Sequence, residues 1–231
     1  MSIGTSLLYF IIILLIPLWA QARVMGTYNK YAKVANSTGL TGAQVARRIL
    51  DYHGLYDVGI EEIDGRLTDH YDPRAKVLRL SSENFYGTSV AGIAVSAHEV
   101  GHAIQDKESY APLRIRHALV PVANLGSNLS YLFILIGAVL QSLQLILLGV
   151  VFFAAAVLFQ LVTLPVEFNA SRRAMVQLVD LGLITTGDEK RMARKVLSAA
   201  ALTYVAAALV AVMELLRFIL MFVGMNNNDE D

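Results

Sequence analysis

Four long apolar runs constrain this chain more than any other feature. They cover 3–22, 118–140, 143–165 and 199–224, and charged segments separate them. A helix needs about 20 apolar residues to cross the hydrocarbon core of a bilayer, and each run approaches or exceeds that length. Only 16% of the residues are charged while 55% are hydrophobic, against roughly 25% charged in soluble domains. Charge is missing from the runs and normal between them, which is the pattern of a membrane protein. The expected fold is a mainly α integral membrane protein with about four transmembrane helices and a small α+β domain between them.

The first run carries Ala20-Gln21-Ala22 at its end, which looks like a signal-peptide cleavage site. No Lys or Arg precedes it, so a retained anchor is the expectation. Basic residues then set the orientation. Arg23, Lys30 and Lys33 follow the first run, and Arg114 and Arg116 precede the second. Arg172, Arg173, Lys190, Arg191, Arg194 and Lys195 lie between the third and fourth. The connection Gln141-Ser-Leu-Gln144 is uncharged and the C-terminal tail is acidic. Lys and Arg stay on the cytoplasmic side. The segments expected are therefore a first span at 1–22, a cytoplasmic segment at 23–117 and a membrane hairpin at 118–165. A second cytoplasmic segment at 166–198, a fourth span at 199–224 and an outside tail at 225–231 complete them. The expected location is the cell membrane, crossed several times, with the functional groups facing the cytoplasm.

Net charge is zero, and no phosphate loop, repeat or nucleic-acid motif is present, so no nucleic-acid partner is expected. There is no cysteine. Any metal must be held by His, Asp or Glu.

The segment 23–117 reads as a small α+β unit. Thr41 and Gln44 form a possible capping box before a helix that ends at Gly54, with Val45, Ile49 and Tyr52 on one face. The stretch 65–81 reads as a hairpin turning at Asp72-Pro73, with Val77 and Leu80 in its second strand. A helical pattern rich in Ala and Gly follows from Ser89 to about Asp106. An edge strand preceding that helix would suit an extended peptide.

That helix contains His98-Glu99-Val-Gly-His102. Residues i and i+4 share a helix face, so both imidazoles can aim at one ion. Glu99 is placed to reach a water on that ion without replacing a ligand. This is the metalloprotease arrangement, with two His ligands and a Glu that takes a proton from water. A catalytic zinc needs a third protein ligand. His53 reads as a helix-end cap, His70 as a strand histidine and His117 as an interface residue. Glu167, just after Pro165 and expected to begin a new helical segment there, is the better candidate; the alternative is a carboxylate at a helix N-terminus. A donor for the oxyanion of the tetrahedral intermediate is also expected, with Tyr204, Arg173 and His70 as candidates. Against them stand ordinary packing for Tyr204, a positive-inside anchor for Arg173 and an exposed strand position for His70. Asn124, Ser127, Asn128 and Ser130 face either a wet cavity or other helices. Glu214 and Arg217, three apart in the fourth run, read most simply as an ion pair, although intramembrane charges are functional candidates.

The stretch "HEVGHAIQD", then a membrane hairpin, then "LPVEFNASRRA" resembles the YugP-like neutral zinc metallopeptidases of bacterial membranes. "DPRAKVLRLS" and "AAALTYVAAAL" look like that family too, and the resemblance covers nearly the whole chain. More distantly, the pattern is similar to HtpX and its relatives among membrane proteases. Those place Asp where Ser171 stands, to orient a zinc-binding histidine; here Asn169 or Ser171 would substitute. The resemblance implies zinc-dependent peptide hydrolysis by a gluzincin-like site, with His98, His102 and Glu167 as zinc ligands and Glu99 as general base. The partners it implies are membrane lipid and a peptide or protein substrate, including membrane-associated ones. Two other classes stay open: a zinc-binding membrane scaffold without turnover, and a transporter built around Glu214 and Arg217, which four spans without a repeat make a poor candidate. Nothing in the sequence sets the substrate, the oligomeric state or a regulator.

Overall fold

The computed structural model describes residues 3–228. The apolar runs lie in four long helices: α1 (Ile3–Tyr31), α5 (Ala111–Val139), α6 (Leu143–Asp180) and α7 (Gly187–Asn228). All four are long and apolar enough to cross a membrane. Each helix continues beyond its run. Pro165 does not open a new helical segment: α6 passes straight through it to Asp180. Proline lacks the N–H that would bond the carbonyl of Leu161, so one rung is lost there. Helices in membranes tolerate such losses where neighbouring groups compensate.

The chain divides into two compact units. The first gathers the residues up to Pro17 with 111–165 and those from Tyr204 onward. Here α5 and α6 form a tight hairpin whose tip turns through Gln141 at φ 52°. Glycines bring the two backbones together. A methyl group on Gly126 would stand 2.6 Å from the carbonyl oxygen of Phe152, and one on Gly149 would stand 2.8 Å from that of Ser130. Small residues allow such approach where no hydrophobic force drives helices together. Ile134, Ile146, Val150, Phe153, Val157 and Phe218 form the core of this unit. The polar residues in the middle of α5 turn onto their own helix: Ser127 Oγ and Asn128 Nδ2 donate to the Asn124 carbonyl, and Ser130 Oγ donates to that of Ser127. Glu214 and Arg217 form the expected ion pair at 2.7 Å, and Tyr9 donates its hydroxyl to Glu214 at 3.0 Å.

The second unit comprises 18–110 and 166–203. In α2 (Gly42–Tyr52) the capping box forms as expected. Gln44 N–H donates to Thr41 Oγ1 and Gln44 Oε1 accepts from Thr41 N–H, an arrangement worth about 1 kcal/mol. Val45 and Ile49 are buried, but Tyr52 is 68% exposed. The apolar face runs instead through Val45, Ala46, Ile49 and Leu50. Strands β2 (His70–Asp72) and β3 (Val77–Ser81) make the expected antiparallel hairpin. Asp72 nucleates its turn by accepting from the N–H groups of Arg74 and Ala75. A further strand, β1 (Gly59–Ile63), pairs parallel with β3, giving the order β1-β3-β2. The strand nearest the histidine helix in sequence is thus central, and the free edges belong to β1 and β2. After the single turn of α3 (Ser82–Tyr86), Ser89 caps α4 (Val90–Lys107) by accepting from Gly92 N–H at 3.0 Å.

Helix α4 is the buried centre of this unit. Ala91, Gly92, Ala94, Ala97, Gly101 and Ala103 are all buried. Their small side chains let other backbones come close. A methyl group on Gly101 would stand 2.7 Å from the carbonyl oxygen of Ala170. Ile49, Leu50, Leu78, Leu80, Ile93, Ile104 and Leu178 fill the surrounding core. At the start of α7, the buried Glu189 carboxylate accepts from the N–H groups of Thr185 and Thr186 just before it and of the distant Ser37, and so ties two chain segments together. Gly101→Ala is expected to cost about 1–3 kcal/mol by overpacking, read as a lower melting temperature in detergent. Gly26→Ala, whose added methyl meets nothing within 4 Å, is expected to leave it unchanged or raise it.

Candidate metal centre

Three side chains converge on α4 and the 166–180 stretch of α6. His98 Nε2 lies 3.2 Å from Glu167 Oε2, and His102 Nε2 lies 3.5 Å from the same oxygen. One potential ligand atom from each residue falls within 4.8 Å of the others. The helix period explains the pair: His98 and His102 are one turn apart, with ring centroids 4.8 Å apart and planes at 86°. The close approach at Gly101 brings Glu167 to them, because Glu167 sits less than one turn before Ala170 on α6. Glu167 is only 2% exposed.

These distances fit a small divalent ion. At zinc–nitrogen and zinc–oxygen bonds of about 2.0–2.1 Å, tetrahedral ligand atoms stand roughly 3.3 Å apart. The chemistry of the donors also fits, with two imidazole nitrogens, one carboxylate and no thiolate. Each ring is fixed through its other nitrogen. Ser171 Oγ lies 3.1 Å from His98 Nδ1, and Gln105 Oε1 lies 3.0 Å from His102 Nδ1. A hydrogen bond at Nδ1 sets the tautomer and leaves Nε2 for the metal.

A chain of hydrogen bonds supports this second contact. Gln105 is fully buried and donates through Nε2 to the Val166 carbonyl at 2.8 Å and to Asn169 Oδ1 at 3.0 Å. Arg173 donates to Asn169 Oδ1 at 2.7 Å and to Glu108 at 2.6 Å. The last residues of α4 are thereby fastened to α6 on both sides of the carboxylate. Ser171 touches a histidine directly, and Asn169 acts on the other through Gln105. Sequence reading missed Gln105. Its signal was available, since it lies three residues after His102 on the same helix face.

Electrostatics couple the acidic and basic groups. Burial pulls the His102 imidazole toward its neutral form, but the hydrogen bond to Glu167 and the charges of Glu99 and Glu167 outweigh it and hold the imidazole above the usual histidine range. Burial pushes the Glu99 carboxyl above the usual carboxylate range, against the pull of the two imidazoles; Glu167 and Asp69 add to the rise. A carboxylate shifted upward in this way is a better proton acceptor near neutrality.

The other candidates have these positions and partners. His70 stands on edge strand β2 with its Nδ1 2.8 Å from the Thr68 carbonyl. Arg173 is engaged by Asn169 and Glu108. Tyr204 falls in the first unit, and so does His117. His53 is the C-cap residue of α2, and its carbonyl accepts from Lys107. Neighbouring Tyr71 of β2 donates to Asp106 at 3.1 Å, which pins that strand to α4.

A family model described as "Putative neutral zinc metallopeptidase" matches residues 6–223. The curated protein "Putative membrane protease YugP" of Bacillus subtilis (strain 168) is 54% identical over 213 residues, which covers 92% of this chain and 93% of that one. No solved structure matches the chain. Two histidines and a glutamate at metal-ligand spacing, four helices fit to cross a membrane and a match over nearly the full length place this chain in the neutral zinc metallopeptidase family.

Proposed function

We propose that the chain is a membrane-embedded zinc endopeptidase, with His98, His102 and Glu167 as zinc ligands and Glu99 as general base. The observation that carries this reading is the convergence of both imidazoles on one buried carboxylate, 65 residues and two apolar runs away from His102 in sequence. Bound zinc would supply Lewis-acid polarisation of a water and of the scissile carbonyl. Glu99 accepts the proton of the attacking water and delivers it to the leaving amine. Ser171 and Gln105 hold the two rings in the ligating tautomer. Extended substrate adds to the free edge of β2, which Tyr71 holds beside α4. The basic flanks of the four runs favour a cytoplasmic location for the site.

Purified protein is expected to contain one zinc per chain by elemental analysis. His98→Ala and His102→Ala abolish it, and Glu167→Ala weakens it sharply. Gln105→Leu removes the partner of His102 Nδ1 and lowers metal affinity about 10–100-fold. Wild-type protein without a transition metal at near-neutral pH would end the reading.

Glu99→Gln is expected to keep both zinc and fold while cleavage falls by roughly 10²–10⁴. Comparing the membrane proteomes of cells carrying wild type and this variant identifies substrates as peptides that accumulate uncut. Full turnover by the variant removes Glu99 from the mechanism. Zinc binding and a stable partner, with no turnover by the wild type, would instead favour a scaffold.

Because the chain has no cysteine, single cysteines report topology without background. Arg48→Cys and Lys190→Cys both lie at exposed positions of the second unit. Neither is expected to react with a membrane-impermeant thiol reagent in intact cells, and both react after lysis. Labelling of both in intact cells reverses the orientation.

A further inference from the structure

The metal centre uses none of the basic residues that gather around a second feature of the same unit. A cleft of about 720 Å³ lies between the C-terminal part of α1 and the N-terminal part of α7, within the roughly 300–1,000 Å³ of small-molecule sites. Arg23 and Lys30 line one wall, and Arg191, Arg194 and Lys195 line the other. The helix period puts them there: 23, 27 and 30 share one face of α1, and 191, 194, 195 and 198 share one face of α7. Gly26 leaves the α1 wall open, since an added methyl would meet nothing within 4 Å.

No carboxylate lines this cleft. Arg191 is held by Asp188 at 2.7 Å. Arg23, Arg194 and Lys195 are exposed and have no ion-pair partner among the described residues, and Lys30 rests over the Tyr31 ring. Like charges collected around a cavity without a counter-charge repel one another, and an anion between them relieves the repulsion. The other end of the cleft is apolar, lined by Ala22, Ala199 and Leu202. From that end α1 continues into the run 3–22 and α7 into the run 199–224. Leu18 and Trp19 on α1 are more than half exposed, and Trp is favoured at the membrane–water boundary.

We propose that this cleft binds the phosphate headgroup of an anionic phospholipid, with the acyl chains leaving past its apolar residues Ala22, Ala199 and Leu202. Phosphate needs the bases, and only a lipid also uses the apolar end. Basic pockets between membrane helices hold such headgroups. The binding is independent of zinc and of peptide cleavage, so the two readings stand or fall separately.

The test titrates phosphatidylglycerol in mixed micelles against full-length protein and follows retention by native mass spectrometry, with phosphatidylcholine as the neutral lipid. The variant Arg23→Gln/Arg194→Gln/Lys195→Gln is expected to lose about 10–100-fold in affinity for phosphatidylglycerol. The variant Lys33→Gln/Arg172→Gln/Lys190→Gln removes the same charge outside the cleft, and it changes affinity less than about threefold. Equal losses in the two variants mean diffuse attraction to charge and overturn the site. Inorganic phosphate that displaces the lipid at equal concentration makes it a free-phosphate site and overturns the lipid assignment, as does equal retention of the neutral lipid. Should the triple variant fail to fold, the three single substitutions are each expected to weaken retention severalfold. No loss in any of them also refutes the proposal.

Discussion

Everything that distinguishes the second unit depends on how closely two helices approach at Gly101. With no side chain there, the backbone of α4 reaches the carbonyl of Ala170 directly. That contact sets the depth at which α4 lies, and so the reach of His98 and His102 toward Glu167. The histidines are long enough to bridge only a short gap. Packing in this unit is therefore not filler around a site. It is what brings the two imidazoles and the carboxylate together.

Around that contact the polar groups form a closed network. A buried Gln105 would be costly if its amide were left unpaired. It is fully engaged instead, with its oxygen on a histidine and its nitrogen on α6. Asn169 accepts from Gln105 and from Arg173, and Arg173 reaches on to Glu108. Such satisfied networks hold side chains in a single arrangement. Glu189 does the same work elsewhere in the unit, where it joins the N–H groups of the turn before α7 to that of Ser37, 152 residues away in sequence.

Much of this was legible in the sequence, for identifiable reasons. Apolar run length showed the four long helices, and the i,i+4 spacing showed the histidine pair. The Thr41–Gln44 box and the Asp72 turn are local, so local patterns found them. What depends on contacts between distant segments was not visible. Strand β1, "GIEEI", pairs in parallel with a strand more than a dozen residues away and shows no alternation to betray it. Tyr52 looked like part of an apolar face, but the core turns that face toward Ala46 and Leu50. Pro165 read as a boundary because a proline in a helix interior removes a hydrogen bond; the helix bears that loss and continues. Gln105 was missed because a glutamine on a helix carries no signal until its partners on α6 are known.

The second unit is discontinuous, and this has a consequence for how the molecule is made. Its two parts, 18–110 and 166–203, are separated by the entire α5–α6 hairpin. The helix bearing both histidines is synthesised first, and Glu167 follows 65 residues after His102. At about 5–20 residues per second, that interval lasts roughly 3–13 s. During it the nascent chain carries the two imidazoles and Glu99 but not yet Glu167. The hairpin must be complete before the third group arrives. Connectivity alone thus imposes a delay, so that the three-residue cluster is completed only in a chain whose intervening helices have already been made.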